Sequence, residues 1–289
     1  MNYFSPDDLK KLYIPSETSH KGQNGKLLLL GGSSLFHAAS LWSLEIASRI
    51  VDMVFYSSVP QNNEIVQEVK KNWRSGIVVP QTEVEHYVEE ADAILIGPGM
   101  VRGEVDTSKN LTRLSDIVRL ESEAEQAYFQ TKYFLAKYPN KKWIVDAGAL
   151  QMMEVGWLEQ MKGNIVLTPN LHEFERLFHL DPLSSNVEDV ASKYNCVILL
   201  KRHTDTVCSP RDCVLVEGGN AGMTKGGTGD VLSGLVASLA CKNDLYLAAK
   251  CGSYINKRAG ENLYKKQGIY FNASDLATEI PKVMGELLQ

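Results

Sequence analysis

Residues 218–237 read GGNAGMTKGGTGDVLSGLVA, a glycine-rich turn that runs directly into an apolar segment. The apolar positions 231, 232, 235, 236 and 239 repeat at helical spacing, which predicts a helix that opens in this turn. Gly226, Gly227 and Gly229 leave bare backbone amides at the start of that helix. Because unpaired N–H groups and the helix dipole both favour negative charge, the stretch predicts an anion-binding turn.

Asp230 ends the turn, where a carboxylate would repel a bound phosphate unless it served a purpose. A base that takes the proton from an attacking hydroxyl is such a purpose, and a step of this kind contributes about 10² to 10⁴ in rate. Alternatively, Asp230 only complements the helix dipole in the first turn. The turn lacks the Lys-Ser/Thr ending of a P-loop.

Short runs rich in Val, Ile and Leu alternate with amphipathic stretches along the chain. They predict strands buried on both faces, in an α/β fold with a mostly parallel central sheet and helices on both sides. The predicted strands are 26–30, 53–56, 77–79, 93–96, 143–145, 165–167 and 197–200. The predicted helices are 38–50, 84–90, 171–178 and 272–288, with two or three surface helices in the polar segment 106–142.

Three of the predicted strands end in loops of similar chemistry, namely GGSS at 31–34, GPG at 97–99 and TPN at 168–170. Ligands of open parallel sheets bind beyond the carboxyl ends of the strands, where helix N-termini and free amides converge. We therefore expect the three loops to share one face of the sheet.

The composition is that of a globular protein, with 289 residues, 44% hydrophobic residues and no linker, which predicts one domain over 1–289. A net charge of −5 without runs of like charge argues against a nucleic-acid partner. The N-terminus lacks a secretion signal and no segment is apolar enough to span a bilayer, so we expect a cytoplasmic protein without a membrane partner. The five cysteines form no Cys-x-x-Cys pair, and we interpret them as reduced structural thiols.

The GGTGD turn resembles the phosphate-binding and catalytic turn of the ribokinase-like superfamily. Within it, the chain is similar to the ADP- or ATP-dependent NAD(P)H-hydrate dehydratases from His20 to about Ala277. The motifs that carry the resemblance follow the family's order: HKG with Gly25, LLGGS before Ala38-Ala39, IGPG at 96–99, VDA at 145–147, LTPN with Glu173-Phe174 and Arg176-Leu177, Leu200-Lys201, and the glycine turn.

The resemblance implies a ribokinase-like fold and the dehydration of hydrated NADH and NADPH with an adenine nucleotide, ADP or ATP, as co-substrate. Asp230 would be the catalytic base on the C6 hydroxyl of the hydrated nicotinamide. Phosphorylation would turn this hydroxyl into a phosphate leaving group, held by backbone donors of the turn. The family also implies Mg²⁺ on the nucleotide phosphates, with no dedicated protein metal site, and a homo-oligomer.

The resemblance further assigns residues to each ligand. The nucleotide side comprises Lys201, Thr204, Asp205, Asn220, Gly226, Gly227, Thr228 and Gly229. The substrate side comprises Ala39, Gly99, Asn170, His172, Glu173 and Asp230. Two alternatives stay open: Asn170 and Glu173 form a helix capping box, and Lys201 is an exposed lysine at a strand end. His37, His172 and His203 are isolated and lack metal-ligand spacing.

The chain departs from the family's pattern at three places. Met100-Val101 follows Gly99 where another glycine is usual, Gly148 stands where a second acid is common, and Arg202 replaces a glycine. A small-molecule kinase of the same superfamily, for a vitamin or a sugar, is the main alternative function. A nucleotide-binding protein without turnover is the other.

Overall fold

A ten-stranded sheet runs through the centre of the structure, a computed structural model that describes residues 1–288. Its spatial order is β1-β10-β9-β8-β7-β6-β5-β2-β3-β4. The strands are β1 (Asn2–Tyr3), β2 (Lys26–Leu30), β3 (Met53–Ser57), β4 (Ile77–Val78), β5 (Ala93–Ile96), β6 (Lys142–Val145), β7 (Ile165–Leu167), β8 (Val197–Leu200), β9 (Asp205–Cys208) and β10 (Cys213–Val216).

The strands from β4 through β8 in this order are all parallel, which confirms the mostly parallel sheet and the seven predicted strands. Only β9 runs antiparallel to its neighbours β8 and β10. The sequence analysis missed β9, β10 and the two-residue β1. The strands β1 and β9 carry no apolar run, whereas the apolar run of β10, Cys213–Val216, was overlooked.

Helices cover both faces of the sheet. They are α1 (His37–Ala47), α2 (Pro60–Val69), α3 (Val84–Glu90), α4 (Leu114–Ile117), α5 (Glu123–Lys137), α6 (Ala147–Met152), α7 (Leu171–Phe178), α8 (Ser184–Lys193), α9 (Thr228–Ala240), α10 (Leu245–Gln267) and α11 (Ala273–Leu287). The predicted helices correspond to α1, α3, α7, α9 and α11, and the segment 106–142 contains α4 and α5, whereas α2, α6, α8 and α10 were not identified from the sequence. Within residues 1–288, no helix combines the length and apolar character that a membrane crossing requires.

The sheet separates two hydrophobic cores. In β2, Leu27 and Leu29 face one core, beneath α1, α9, α10 and α11, while Leu28 and Leu30 face the other. Burial on both faces is therefore confirmed for this central strand. It is wrong for the edge strand β4, where Ile77 is 43% exposed because only β3 flanks it.

Helix α5 corrects the prediction of surface helices in segment 106–142. Its residues Ala124, Tyr128, Phe134 and Leu135 are buried in the second core. Together with the buried Ala127 and Thr131, these positions repeat at three- and four-residue spacing and form one buried face of the helix. The high content of Glu and Lys in the segment obscured this face.

The prediction that all five cysteines are reduced is also wrong. The structure joins Cys208 and Cys213 in a disulfide, while Cys196, Cys241 and Cys251 are free and buried. Cys208 lies directly opposite Cys213 in the antiparallel β9–β10 pair. Because neither strand was identified from the sequence, this pairing could not be inferred.

Candidate active site

The glycine turn before α9 is held open by its own backbone and by Trp42. Gly227 has φ +92, and a Cβ there would lie 2.3 Å from the Trp42 ring, so only glycine fits. The Thr228 hydroxyl donates to the carbonyl oxygens of Met223 at 2.7 Å and Lys225 at 2.8 Å. No side chain caps the start of α9. The Thr228 amide donates to Lys225 O at 3.3 Å, which leaves the amides of Gly226, Gly227 and Gly229 for an anion, with open space around Gly226.

Asp230 lies in the first turn of α9, where the Ser43 hydroxyl donates to its carbonyl oxygen at 2.8 Å. Burial, and then the negative charge of Asp146, raise the pKa of Asp230 to about 7. The helix dipole alone would lower the pKa of this carboxyl. A carboxyl that only complemented the dipole would therefore show the opposite shift, whereas a pKa near neutrality suits a base that works near pH 7.

Lys201 follows β8 and is not the freely exposed lysine of the alternative interpretation. Its Nζ donates to Asp146 Oδ1 at 2.7 Å, and 20% of its side chain is exposed. It also lies 3.5 Å from the position that a Cβ on Gly229 would occupy. Although burial opposes it, the carboxylates of Asp146, Glu173 and Asp230 raise the pKa of Lys201. The ammonium group thus stays charged beside the glycine turn.

Asp146 is a site residue to which the sequence analysis gave no role. It follows β6 and is 1% exposed. Its backbone packs so closely on the preceding loop that a Cβ on Gly97 would lie 1.8 Å from the Asp146 carbonyl oxygen. The only sequence signal was its place directly after a buried strand, within the motif Val145-Asp146-Ala147.

The predicted substrate-side residues fall into two groups. Ala39 lies against the loop after β5, because a Cβ on Gly99 would be 3.2 Å from that of Ala39. The loops after β2 and β5 also meet through a hydrogen bond from Gly32 N to Pro98 O at 2.7 Å. Since β2, β5 and β7 are parallel strands of one sheet, the shared face of the three loops is confirmed.

Asn170 and Glu173 form the second group, and their capping box is confirmed. Asn170 Oδ1 accepts from Glu173 N at 3.0 Å, and Glu173 Oε2 accepts from Asn170 N at 2.8 Å. The Asn170 backbone pairs with Lys201, which places α7 beside the nucleotide-side lysine. The side chain of His172 is 96% exposed and lies near Glu175, so the structure does not bring it to this group.

The other nucleotide-side residues are engaged within the protein. Asp205 is 5% exposed; its Oδ2 accepts from Ser253 Oγ at 2.7 Å, and its Oδ1 lies 3.4 Å from Lys257 Nζ. Asn220 accepts from Gly222 N and donates to Gly260 O. The Thr204 carbonyl accepts from Arg202 Nε at 2.9 Å. These residues shape the loops around Lys201 and the turn.

Comparison with known proteins identifies the family. The sequence model described as NAD(P)H-hydrate dehydratase matches residues 27–282. The chain belongs to this family. It is 34% identical over 282 residues to the bifunctional NAD(P)H-hydrate repair enzyme Nnr of Methanocaldococcus jannaschii, with 96% of this chain and 51% of that protein covered. It is 31% identical over 287 residues to the ADP-dependent (S)-NAD(P)H-hydrate dehydratase of Cenarchaeum symbiosum, with 96% and 95% covered. The chain thus spans about half the length of the first relative and nearly all of the second.

The fold agrees with this membership in the NAD(P)H-hydrate dehydratase family. A ribokinase-like superfamily protein from Enterococcus faecalis superposes with a TM-score of 0.81 at 24% identity, covering 100% of this chain and 96% of that one. The predicted ribokinase-like fold is therefore confirmed.

One departure from the family pattern, Gly148, packs directly on Met100, the residue before the departure Val101. A Cβ on Gly148 would be 2.1 Å from the Met100 carbonyl oxygen and 2.8 Å from the Met100 Cβ. The backbone amides of both residues donate to Gly97 O. The space that a larger residue at 148 would need is therefore occupied first by the Met100 backbone and then by the Met100 side chain.

The third departure, Arg202, points away from the turn. Its guanidinium donates to Ser184 Oγ, the Thr206 hydroxyl and the carbonyl oxygens of Pro182 and Thr204. The Arg202 side chain therefore ties the loop after β8 to α8.

Proposed function

We propose that this chain dehydrates hydrated NADH and NADPH, with ADP or ATP as phosphoryl donor. The observation that carries the proposal is the Asp230 carboxyl, in the first turn of α9 next to uncapped helix amides and with its pKa raised to about 7. The name of the relative from Cenarchaeum symbiosum supports the choice of reaction and donor.

In the proposed reaction, Asp230 accepts the proton of the C6 hydroxyl while the hydroxyl oxygen attacks the terminal phosphorus of the nucleotide. The bond between that phosphorus and the bridging oxygen breaks, and the shortened nucleotide leaves. The phosphate ester then loses phosphate from C6 and a proton from the adjacent ring carbon, which restores the reduced nicotinamide. Phosphate leaves far more readily than hydroxide, so the nucleotide supplies the driving force.

The described residues divide these tasks by position. The amides of Gly226 to Gly229 hold the transferred phosphoryl group, and Lys201 binds the nucleotide phosphates from the other side. Ala39, Gly99 and Asn170 line the side on which the nicotinamide would lie. Thr204, Asp205 and Asn220 act by shaping their loops. A direct contact of His172 with substrate stays a prediction.

Magnesium fits this arrangement as an ion carried by the nucleotide. Among residues 1–288, no group of three or more His, Cys, Asp or Glu side chains is arranged to hold a metal ion. Mg²⁺ commonly keeps its waters and binds through substrate phosphates, where it would neutralise the phosphate charge. A cytoplasmic location and a homo-oligomeric state stay predictions from the sequence and the resemblance.

The test is incubation of the purified protein with hydrated NADH and each nucleotide. We expect free phosphate and recovered absorbance of NADH, and a loss of about 10² to 10⁴ in kcat for Asp230→Asn because its base is removed. Nucleotide binding, measured by calorimetry, should be kept in the variant. A phosphorylated product that accumulates would indicate a kinase instead, and equal rates in both proteins would remove Asp230 from its role.

A further inference from the structure

We propose that Asp146 is a positioning residue, whose carboxylate holds the Lys201 ammonium group beside the glycine turn. The inference deepens the proposed function and rests on it. Neither the family description nor the sequence resemblance gives this residue a role in the reaction.

The geometry of Asp146 argues against a purely structural role. It occupies the N-cap position of α6, where an aspartate normally accepts hydrogen bonds from the first helix amides. Its side chain makes no such bond. Asp146 Oδ1 instead accepts from Lys201 Nζ at 2.7 Å, with the carboxylate 1% exposed. The buried Asp146 carboxylate therefore binds Lys201 instead of capping α6. The ion pair fixes the orientation of both side chains.

The backbone also fixes where this carboxylate can be. The Asp146 carbonyl oxygen lies 1.8 Å from the position of a Cβ on Gly97, so the end of β6 is pressed against the loop after β5. The Lys201 amide is fixed in the same way by its bond to Pro169 O at 2.8 Å. With both main chains held, the ion pair sets the Lys201 ammonium group at one place, next to Gly229.

Asp146 acts on Asp230 through its charge. Of the elements around Asp230, β6 contributes the negative Asp146, β8 the positive Lys201 and α7 the negative Glu173. Helix α1 meets the Asp230 backbone through the Ser43 hydroxyl. Helices α10 and α11 meet α9 and its turn at Gly252 and Ala273, through apolar contacts. After burial, Asp146 has the largest effect in raising the pKa of Asp230.

Two consequences follow for the reaction. A base with a higher pKa accepts a proton more strongly, so Asp146 increases the basicity of Asp230 at the pH where the enzyme works. The pair with Asp146 also offsets the positive charge of the Lys201 ammonium group. A protein without the Asp146 charge should therefore bind the nucleotide phosphates more tightly, and its Asp230 should be a weaker base. The loss of this charge thus has opposite effects on nucleotide binding and on turnover.

The experiment compares kcat/KM against pH for the wild type and Asp146→Asn. We expect the acid limb of the wild type near pH 7, and a shift of about one unit to lower pH in the variant, because one negative neighbour is lost. We expect kcat to fall about tenfold while nucleotide affinity rises a few-fold. Asp146→Ser, which is smaller and uncharged, should move the limb in the same direction, whereas Asp146→Glu should leave it in place.

Asp8→Asn is the matched control, since Asp8 forms an ion pair with Lys250 of the same 2.7 Å length away from the glycine turn. It should leave the acid limb unmoved. The ionisation of Asp230, followed by NMR of ¹³C-labelled aspartate in the free protein, tests the inference even if no dehydration is found. An unshifted Asp230 titration in both Asp146→Asn and Asp146→Ser would overturn it.

Discussion

Gly148 and Met100 pack so closely that a Cβ on Gly148 would lie 2.1 Å from the Met100 carbonyl oxygen. Gly148 departs from the family pattern, and Met100 directly precedes the departure Val101, so the contact offers a physical reason for the glycine at 148. A side chain at 148 needs the loop after β5 to move, which the bulky Met100 hinders. A glycine at 100 would give that loop the freedom to move.

The first prediction concerns this pair. Gly148→Asp should lower the free energy of unfolding by about 2–4 kcal/mol, because the new side chain overlaps backbone atoms in a buried region. Met100→Gly combined with Gly148→Asp should recover part of that loss, giving a coupling energy of about 1 kcal/mol or more in a double-mutant cycle from urea unfolding. Additive effects of the two substitutions would contradict the interpretation.

The second prediction separates two neighbouring glycines of the turn. Gly227→Ala should destabilise the protein and abolish nucleotide binding, since φ +92 is strained for alanine and the new Cβ would overlap the Trp42 ring. Gly226→Ala is the matched control for folding, because no atom lies within 4 Å of its Cβ position. Thermal melting should thus separate the two variants by several degrees. Equal melting temperatures would refute the proposed packing of the turn on Trp42.

The third prediction concerns the capping box of α7. Glu173→Ala should cost about 1 kcal/mol in unfolding free energy, because Asn170 N loses its acceptor. Glu173→Gln retains an acceptor oxygen and should cost less. Both changes remove a negative charge that raises the pKa of Asp230, so both should move its titration to lower pH. A titration that moves in the alanine variant alone would mean that the charge of Glu173 is not the cause.

Local patterns were enough to predict the central sheet and the glycine turn. Continuous apolar runs marked β2 and β5 to β8 because these strands are buried on both faces. The capping box of Asn170 and Glu173 could be found because its two residues are three apart in sequence.

Contacts between distant segments could not be predicted in the same way. The Asp146–Lys201 pair joins the ends of two strands that are far apart in sequence, and no spacing rule connects them. The buried position of the Asp205 side chain depends on its contacts with Lys257 and Ser253 of α10, a helix that was not identified from the sequence. The resemblance supplied the identity of several site residues, but their partners became visible only in the fold.

The last prediction is that Asp230 makes the free protein less stable at alkaline pH. Its pKa rises from 3.8 to about 7 on folding, so between these values the folded state holds a proton that the unfolded state has lost. The contribution of Asp230 to the free energy of unfolding is therefore fully present below about pH 4, and it is lost as the pH rises through 7. Asp230→Asn removes the ionisation and should be more stable than the wild type at pH 8 by about 2–4 kcal/mol.

Urea unfolding at pH 5 and pH 8 measures this difference, which should shrink towards the lower pH. The Asp8→Asn variant should change the unfolding free energy at pH 8 in the opposite direction. Although burial opposes it, Lys11 and Lys250 lower the pKa of Asp8, so its carboxylate stabilises the fold above pH 3.8 and that stability is lost only in acid. Asp8→Asn should thus be less stable than the wild type at pH 8. The difference in unfolding free energy between Asp230→Asn and the wild type could instead be the same at both pH values. That result would show that burial and Asp146 do not hold the Asp230 carboxyl in its neutral form.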